Sequence, residues 1–82
     1  MYRIVFTNRA LRDLEKIDKE TQIRIAKKLK EYVENPLKYA RKLISQHIGT
    51  YRFKIGDYRI IFDIDGENIV VLRIGHRKSI YK

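Results

Sequence analysis

The sequence predicts an α+β domain, a helical hairpin packed on one face of a small antiparallel sheet in the order β-α-α-β-β-β. Three observations carry that expectation. All four glycines (Gly49, Gly56, Gly66 and Gly75) fall in the second half. Apolar residues recur at helical spacing in the first half and at strand-like spacing in the second. The single proline, Pro36, stands where the helical pattern stops. The 82 residues suffice for one domain, residues 1–82.

Tyr2–Thr7 alternates and is rich in β-branched and aromatic residues, so it reads as a strand with Ile4 and Phe6 inward. Asn8 is the expected N-cap of the first helix, whose buried face is Ala10, Leu11, Leu14 and Ile17. Asp18 caps a second helix from about Lys19 to Glu34, with Ile25, Ala26, Leu29, Tyr32 and Val33 inward. Asn35-Pro36 ends it, because the residue before proline avoids helical dihedrals. Leu37–Gly49 reads as an irregular connection with a basic pair, Arg41-Lys42.

Thr50–Ile55 and Tyr58–Asp63 are strands joined by Gly56-Asp57, a two-residue hairpin signal with glycine first. That loop sets Ile55 opposite Tyr58, Phe53 opposite Ile60 and Tyr51 opposite Phe62. The last strand, Asn68–Gly75, is expected to turn Val70, Leu72 and Ile74 to the core through a three-residue loop, Asp65-Gly66-Glu67.

Composition bounds the function. Nineteen Lys+Arg against ten Asp+Glu leave a net charge of +9, which suits nucleic acid, an acidic protein or an anionic surface. There is no cysteine, which excludes disulfides, thiol catalysis and cysteine zinc sites and fits a reducing cytosol. No apolar run approaches the ~20 residues that span a bilayer, so no membrane partner is expected.

On the sheet face turned from the helices, the register places Lys54 opposite Arg59, with Arg52 one pleat along and Arg73 opposite Arg59 on the last strand. Arg77 shares the parity of Arg73. Like charges at opposed positions cost a few tenths to ~1 kcal/mol, which a purely structural sheet has no reason to accept. A row of cations neutralises a phosphodiester and stabilises the extra charge of a phosphorane. Repulsion among cations also makes an ammonium readier to release its proton, so Lys54 is a candidate base. The competing reading is a set of solvated charges on an exposed face.

In the tail, Tyr81 beside Lys78 and Arg77 can stack on a base or anchor the C-terminus. His76 is either a general acid or, by its parity, a structural residue. His47 sits in the connection and is assigned no role. Arg24, Lys27, Lys28 and Lys30 form the outer side of the second helix, which reads as a solvated face more readily than as a second basic patch. Nucleotide-binding glycine loops and carboxylate-rich metal loops are missing from the sequence.

The stretch Tyr51-Arg-Phe-Lys-Ile-Gly-Asp-Tyr-Arg-Ile-Ile-Phe, followed by Arg73-Ile-Gly-His-Arg-Lys-Ser-Ile-Tyr81, resembles the RelE/ParE toxin superfamily of type II toxin–antitoxin systems, and the RelE branch in particular. The resemblance covers essentially the whole chain. It implies a cytoplasmic, ribosome-dependent messenger-RNA endonuclease that cleaves by 2′-hydroxyl attack on the adjacent phosphate, with no metal and no cofactor. By the resemblance, Lys54, Arg59, Arg77 and Tyr81 are catalytic. Arg52, Arg73 and Lys78 are the RNA-binding cations; Arg52 stands where the best-studied branch has lysine. The expected partners are the ribosome with its messenger RNA and a RelB-like antitoxin in a hetero-oligomer. A ParE-like gyrase inhibitor and a non-catalytic RNA-binding module are the alternatives.

Overall fold

The computed structural model describes residues 2–44 and 47–81; Ser45 and Gln46 of the expected connection and Lys82 of the tail lie outside the described residues. The elements are β1 (Arg3–Phe6), α1 (Asn8–Glu15), α2 (Lys19–Tyr32), α3 (Pro36–Tyr39), β2 (Arg41–Lys42), β3 (Tyr51–Ile55), β4 (Tyr58–Asp65) and β5 (Asn68–His76). The expected order therefore holds, with α3 and β2 added inside the connection. Neither is long enough to show a period. Pro36 opens α3 at its first position, where a missing N–H costs nothing. Tyr39 then stacks on Tyr32 of α2, with ring centroids 4.2 Å apart. That contact delivers Arg41 and Lys42 to the edge of β3, where they pair with Arg52 and Tyr51.

The sheet order is β1-β5-β4-β3-β2. β1 runs parallel to β5, so the sheet is mixed and not wholly antiparallel as expected. All the elements between the two strands serve as the crossover that a parallel pair needs.

Caps explain the helix boundaries. Thr7, not Asn8, caps α1: its Oγ1 accepts from the Ala10 N–H at 3.1 Å and donates to the Leu72 carbonyl at 3.3 Å. Asp18 caps α2 as expected, accepting from the Thr21 N–H at 3.1 Å. Gln22 ties the hairpin together by donating to the carbonyls of Leu14 and Ile17, both at 2.8 Å.

The core lies between the helices and one sheet face. Ala10, Ile17, Ile25 and Leu29 meet Phe53, Ile55, Ile60, Phe62, Ile69, Val71 and Ile74. Leu11 (43% exposed) and Ala26 fall outside it, against expectation. Ala10 and Asp13 are the buried residues of α1, which leaves Leu11 about 100° round the helix from Ala10. Ile25 and Leu29 do the same to Ala26 on α2.

The β3–β4 hairpin has the expected register, including Lys54 opposite Arg59. The β4–β5 pair does not. Asp65 pairs with Asn68, so the turn is the two-residue Gly66-Glu67, a second copy of the Gly56-Asp57 design. Both glycines have φ +59°, as a turn with glycine first requires, and among the described residues no non-glycine has a positive φ. A bulge then intervenes: Phe62 pairs with Val71 but Ile61 with Arg73, leaving Leu72 as the extra residue. Ile69, Val71 and Ile74 face the core, where Val70, Leu72 and Ile74 were expected. The expected pairing of Arg73 with Arg59 is replaced by Gly75 with Arg59.

The bulge is held from outside. Thr7 N–H donates to the Val71 carbonyl at 3.0 Å, the last rung between β1 and β5. One step on, Asp13 of α1 takes over the strand edge. Its Oδ2 accepts from the Ile74 N–H at 3.0 Å and from Arg73 Nε at 2.8 Å, and Arg9 Nε lies 3.6 Å from Oδ1. Asp13 is 9% exposed. Burial alone would raise its pKa; the Ile74 and Arg73 hydrogen bonds and the charges of Arg73 and Arg9 outweigh burial and hold the carboxyl below the ordinary carboxylate range.

Asp13→Ala strands the Ile74 N–H and the Arg73 charge, and is expected to cost about 2–4 kcal/mol. Because the folded pKa is depressed, the stabilisation is complete above the unfolded value and is lost as pH falls through the folded one. Urea unfolding at about pH 7 and about pH 3 should show the gap between wild type and variant narrowing in acid.

Candidate nucleic-acid interface

The sheet face turned from the helices is not bare. Ile61 on that face is 0% exposed, and Ile80 of the C-terminal turn is 4% exposed. Two glycines allow this cover. A methyl on Gly49 would lie 2.5 Å from Ile61 Cγ2 and 3.0 Å from Leu72 Cδ1, so only glycine lets the loop before β3 press onto the sheet. A methyl on Gly75 would lie 2.7 Å from Ile80 Cδ1, so the tail folds down onto β5. The loop is closed by Leu43 N–H to the Thr50 carbonyl at 2.9 Å and by Thr50 N–H to Asp63 Oδ1 at 2.7 Å.

Between loop and tail a groove of about 450 Å³ remains, lined by Lys42, Leu43, Ile44, His47, Ile48, Arg52 and Tyr81. It joins an aliphatic wall to two cations, an imidazole and a half-exposed phenol. That combination suits a nucleotide, which presents a flat apolar base and an anionic phosphate.

Arg52 and Tyr81, far apart in sequence, are brought together in this groove. Lys54 follows Arg52 on the same face of β3, one pleat (about 7 Å) further on. It is exposed, and no carboxylate lies within ion-pair distance of Arg52 or Lys54 among the described residues. Arg59 is 8% exposed, and its Nη1 donates to the carbonyls of Gly56 (3.2 Å) and Tyr58 (3.0 Å). Arg77 N–H donates to the Asp57 carbonyl at 2.8 Å, while its Nε lies 3.6 Å from Asp57 Oδ1 in an exposed pair. Lys78 is exposed on the tail, its N–H donating to His76 Nδ1 at 3.2 Å. Arg73 is drawn to Asp13 at 2.8 Å, and the expected row Lys54–Arg59–Arg73 ends in Gly75 instead.

The profile of the ParE toxin of type II toxin–antitoxin systems matches residues 4–81. The chain belongs to that toxin family. Toxin RelG of Mycobacterium tuberculosis is 31% identical over 99% of this chain and 97% of its own length. Toxin RelE3 of Methanocaldococcus jannaschii is also 31% identical, over 96% of this chain and 94% of its own. In the RelBE2 toxin–antitoxin complex of M. tuberculosis one chain superposes with a TM-score of 0.82 at 29% identity, covering 93% of this chain and 98% of that one. The isolated RelE toxin of Escherichia coli gives 0.75 at 29% identity, over 99% of this chain and 92% of that one. The toxin is thus of the RelE kind in sequence and fold. Among its described residues no helix is long and apolar enough to cross a membrane.

Two groove residues of the toxin escaped sequence reasoning. Lys42 stood out only as half of a basic pair, since a two-residue strand has no alternation to read. His47 lies in a loop whose path is set by Gly49, and no periodic signal reports that. His76 takes its structural option: its ring meets Tyr58 edge-on at 5.6 Å and its Nδ1 accepts from Lys78. Arg24, Lys27, Lys28 and Lys30 are exposed on α2, with Lys28 3.7 Å from Glu31, as a solvated face would be.

The cover over the second face makes its glycines unequal. Gly49→Ala is expected to destabilise by about 1–3 kcal/mol through overpacking against Ile61. Gly66→Ala, with nothing within 4 Å, meets only the strain of its positive φ, about 1 kcal/mol. Paired thermal melts should rank Gly49→Ala well below Gly66→Ala.

Proposed function

We propose that the toxin is a ribosome-dependent messenger-RNA endonuclease acting in the cytoplasm. The observation that carries this reading is the meeting of Arg52 and Tyr81 in one groove, with the exposed Lys54 one pleat away. The substrate supplies its own nucleophile. The ribose 2′-oxygen bonds to the adjacent phosphorus, the bond to the 5′-oxygen breaks, and the products carry a 2′,3′-cyclic phosphate and a 5′-hydroxyl. One proton leaves the 2′-oxygen and one arrives at the 5′-oxygen.

Arg52 and Lys54 hold the scissile phosphate, and Lys54 serves as charge stabiliser or base. Arg77 reaches the phosphorane: its pair with Asp57 is exposed on both sides, and releasing such a pair costs at most ~1 kcal/mol. Tyr81 stacks on a base or orients the 2′-hydroxyl. Arg59, clamped on the turn carbonyls, adds fixed positive charge behind Lys54. Arg73, occupied by Asp13, contributes least of the expected RNA-binding set. Lys78 extends the basic rim along the tail. The charge of +9 and the RelB–RelE pairing of the solved relatives support an acidic RelB-like antitoxin as the toxin's partner in a hetero-oligomer.

A gyrase-directed reading is favoured by one observation: the matched profile is that of the ParE toxin. Purified ribosomes programmed with a defined message separate the two. Wild type is expected to leave cyclic-phosphate ends, with Lys54→Ala and Arg77→Ala each slower by roughly 10²–10³-fold. Equal cleavage by all three removes the site assignment. Inhibited supercoiling by gyrase with intact message moves the toxin to the second reading.

A further inference from the structure

The groove holds one side chain whose class both gives and takes a proton near neutral pH: His47. The other imidazole of the chain, His76, is turned to Tyr58 and accepts from a backbone N–H. His47 stands between two cavities. On one side is the groove, with Lys42, Arg52 and Tyr81. On the other is a cavity of about 390 Å³ lined by His47, Ile48, Gly49, Asp63, Leu72 and Arg73. Asp63 on that side is fixed, since its Oδ1 accepts from the Thr50 N–H at 2.7 Å. A nucleotide bound through Arg52 and stacked on Tyr81 therefore has an imidazole on one wall, with a carboxylate lining the cavity behind it.

We propose, resting on the endonuclease reading above, that His47 is the general base of the cleavage and that Asp63 is its positioning residue. The neutral imidazole takes the proton of the 2′-hydroxyl as the 2′-oxygen bonds to phosphorus. The phosphorane then expels the 5′-oxygen, which takes its proton from water or from the imidazolium just formed. Asp63 orients the ring, as a carboxylate behind a histidine does in other acyl- and phosphoryl-transfer sites. Lys54 becomes a fixed positive charge and is relieved of proton transfer. The charged groups that line the two cavities with His47 are Lys42 and Arg52 on the groove side and Asp63 and Arg73 on the other.

Single-turnover cleavage on programmed ribosomes, measured across the imidazole titration range, tests the proposal. The wild-type rate should rise with pH through that range and then level. His47→Gln should be slower by roughly 10²–10⁴-fold and should lose the acid limb, with ribosome binding unchanged. Lys54→Ala should be slower yet keep the limb. Asp63→Asn should be slower and keep the limb, displaced along the pH axis. His47 is exposed, so its replacement does not put folding at stake. A His47→Gln variant that cleaves at the wild-type rate, or slowly with the limb intact, overturns the assignment and leaves the endonuclease reading standing. A wild type that leaves programmed messages intact overturns both.

Discussion

The bulge in β5 is the constraint on which the rest of this structure depends. A single extra residue, Leu72, changes which side chains of the last strand face the helices. Before it Ile69 and Val71 are inward, and after it Ile74 is. Thr7 and Asp13 hold the bulge from the β1 side, one through its hydroxyl and amide, the other through a buried carboxylate. The same carboxylate takes the Arg73 guanidinium at 2.8 Å. Core packing, the edge of the sheet and the charge pattern of the second face are thereby one arrangement.

The two faces of the sheet do different work. The helix side carries the core, with a column of aromatic rings from Tyr39 through Tyr32 and Phe53 to Phe62. That column also fixes the start of the connection that reaches the other face. There the cover is thin and depends on close backbone approach at Gly49 and Gly75. Thin cover leaves a groove where a fully packed layer would leave none. The cations on and around this face differ in availability. Arg59 and Arg73 are engaged by protein groups within hydrogen-bonding distance, Arg77 is loosely paired, and Arg52 and Lys54 have no carboxylate at ion-pair distance among the described residues. Surface pairs such as Arg77–Asp57 exchange for phosphate at little cost, whereas the Asp13–Arg73 pair does not.

Much of this was legible in the residues. The Gly56-Asp57 loop specified the β3–β4 register and Asp18 the start of α2, because each rests on local backbone chemistry, whereas α2 ends at Tyr32, short of the expected Glu34, and Pro36 opens α3. Asp63 and Tyr81 show the limit, since their surroundings come from segments remote in sequence. The register of β5 was illegible for a definite reason: Ile69, Val70, Val71 and Leu72 form an unbroken apolar run, and alternation cannot assign a face within one. Gly66-Glu67 carried the right signal for a two-residue turn, but the parity of Ile74 argued against it, and only the bulge reconciles the two. Asp13, between Arg12 and Leu14 on α1, has nothing in its local sequence that reports its partner at the strand edge. The two short elements, α3 and β2, were invisible because two or four residues contain no period.

The central claim is that the toxin's RNA site is the groove between the connection and the C-terminal tail, on the face away from the helices. Amide chemical-shift mapping tests it most directly, with a short messenger-like oligonucleotide carrying a 2′-deoxy sugar at the scissile position so that it cannot be cut. The account predicts shifts confined to Lys42–Ile44, His47–Ile48, Arg52–Lys54 and Arg77–Tyr81, with α2 silent. Shifts centred on Arg24, Lys27 and Lys30 of α2, with the groove unmoved, would contradict it.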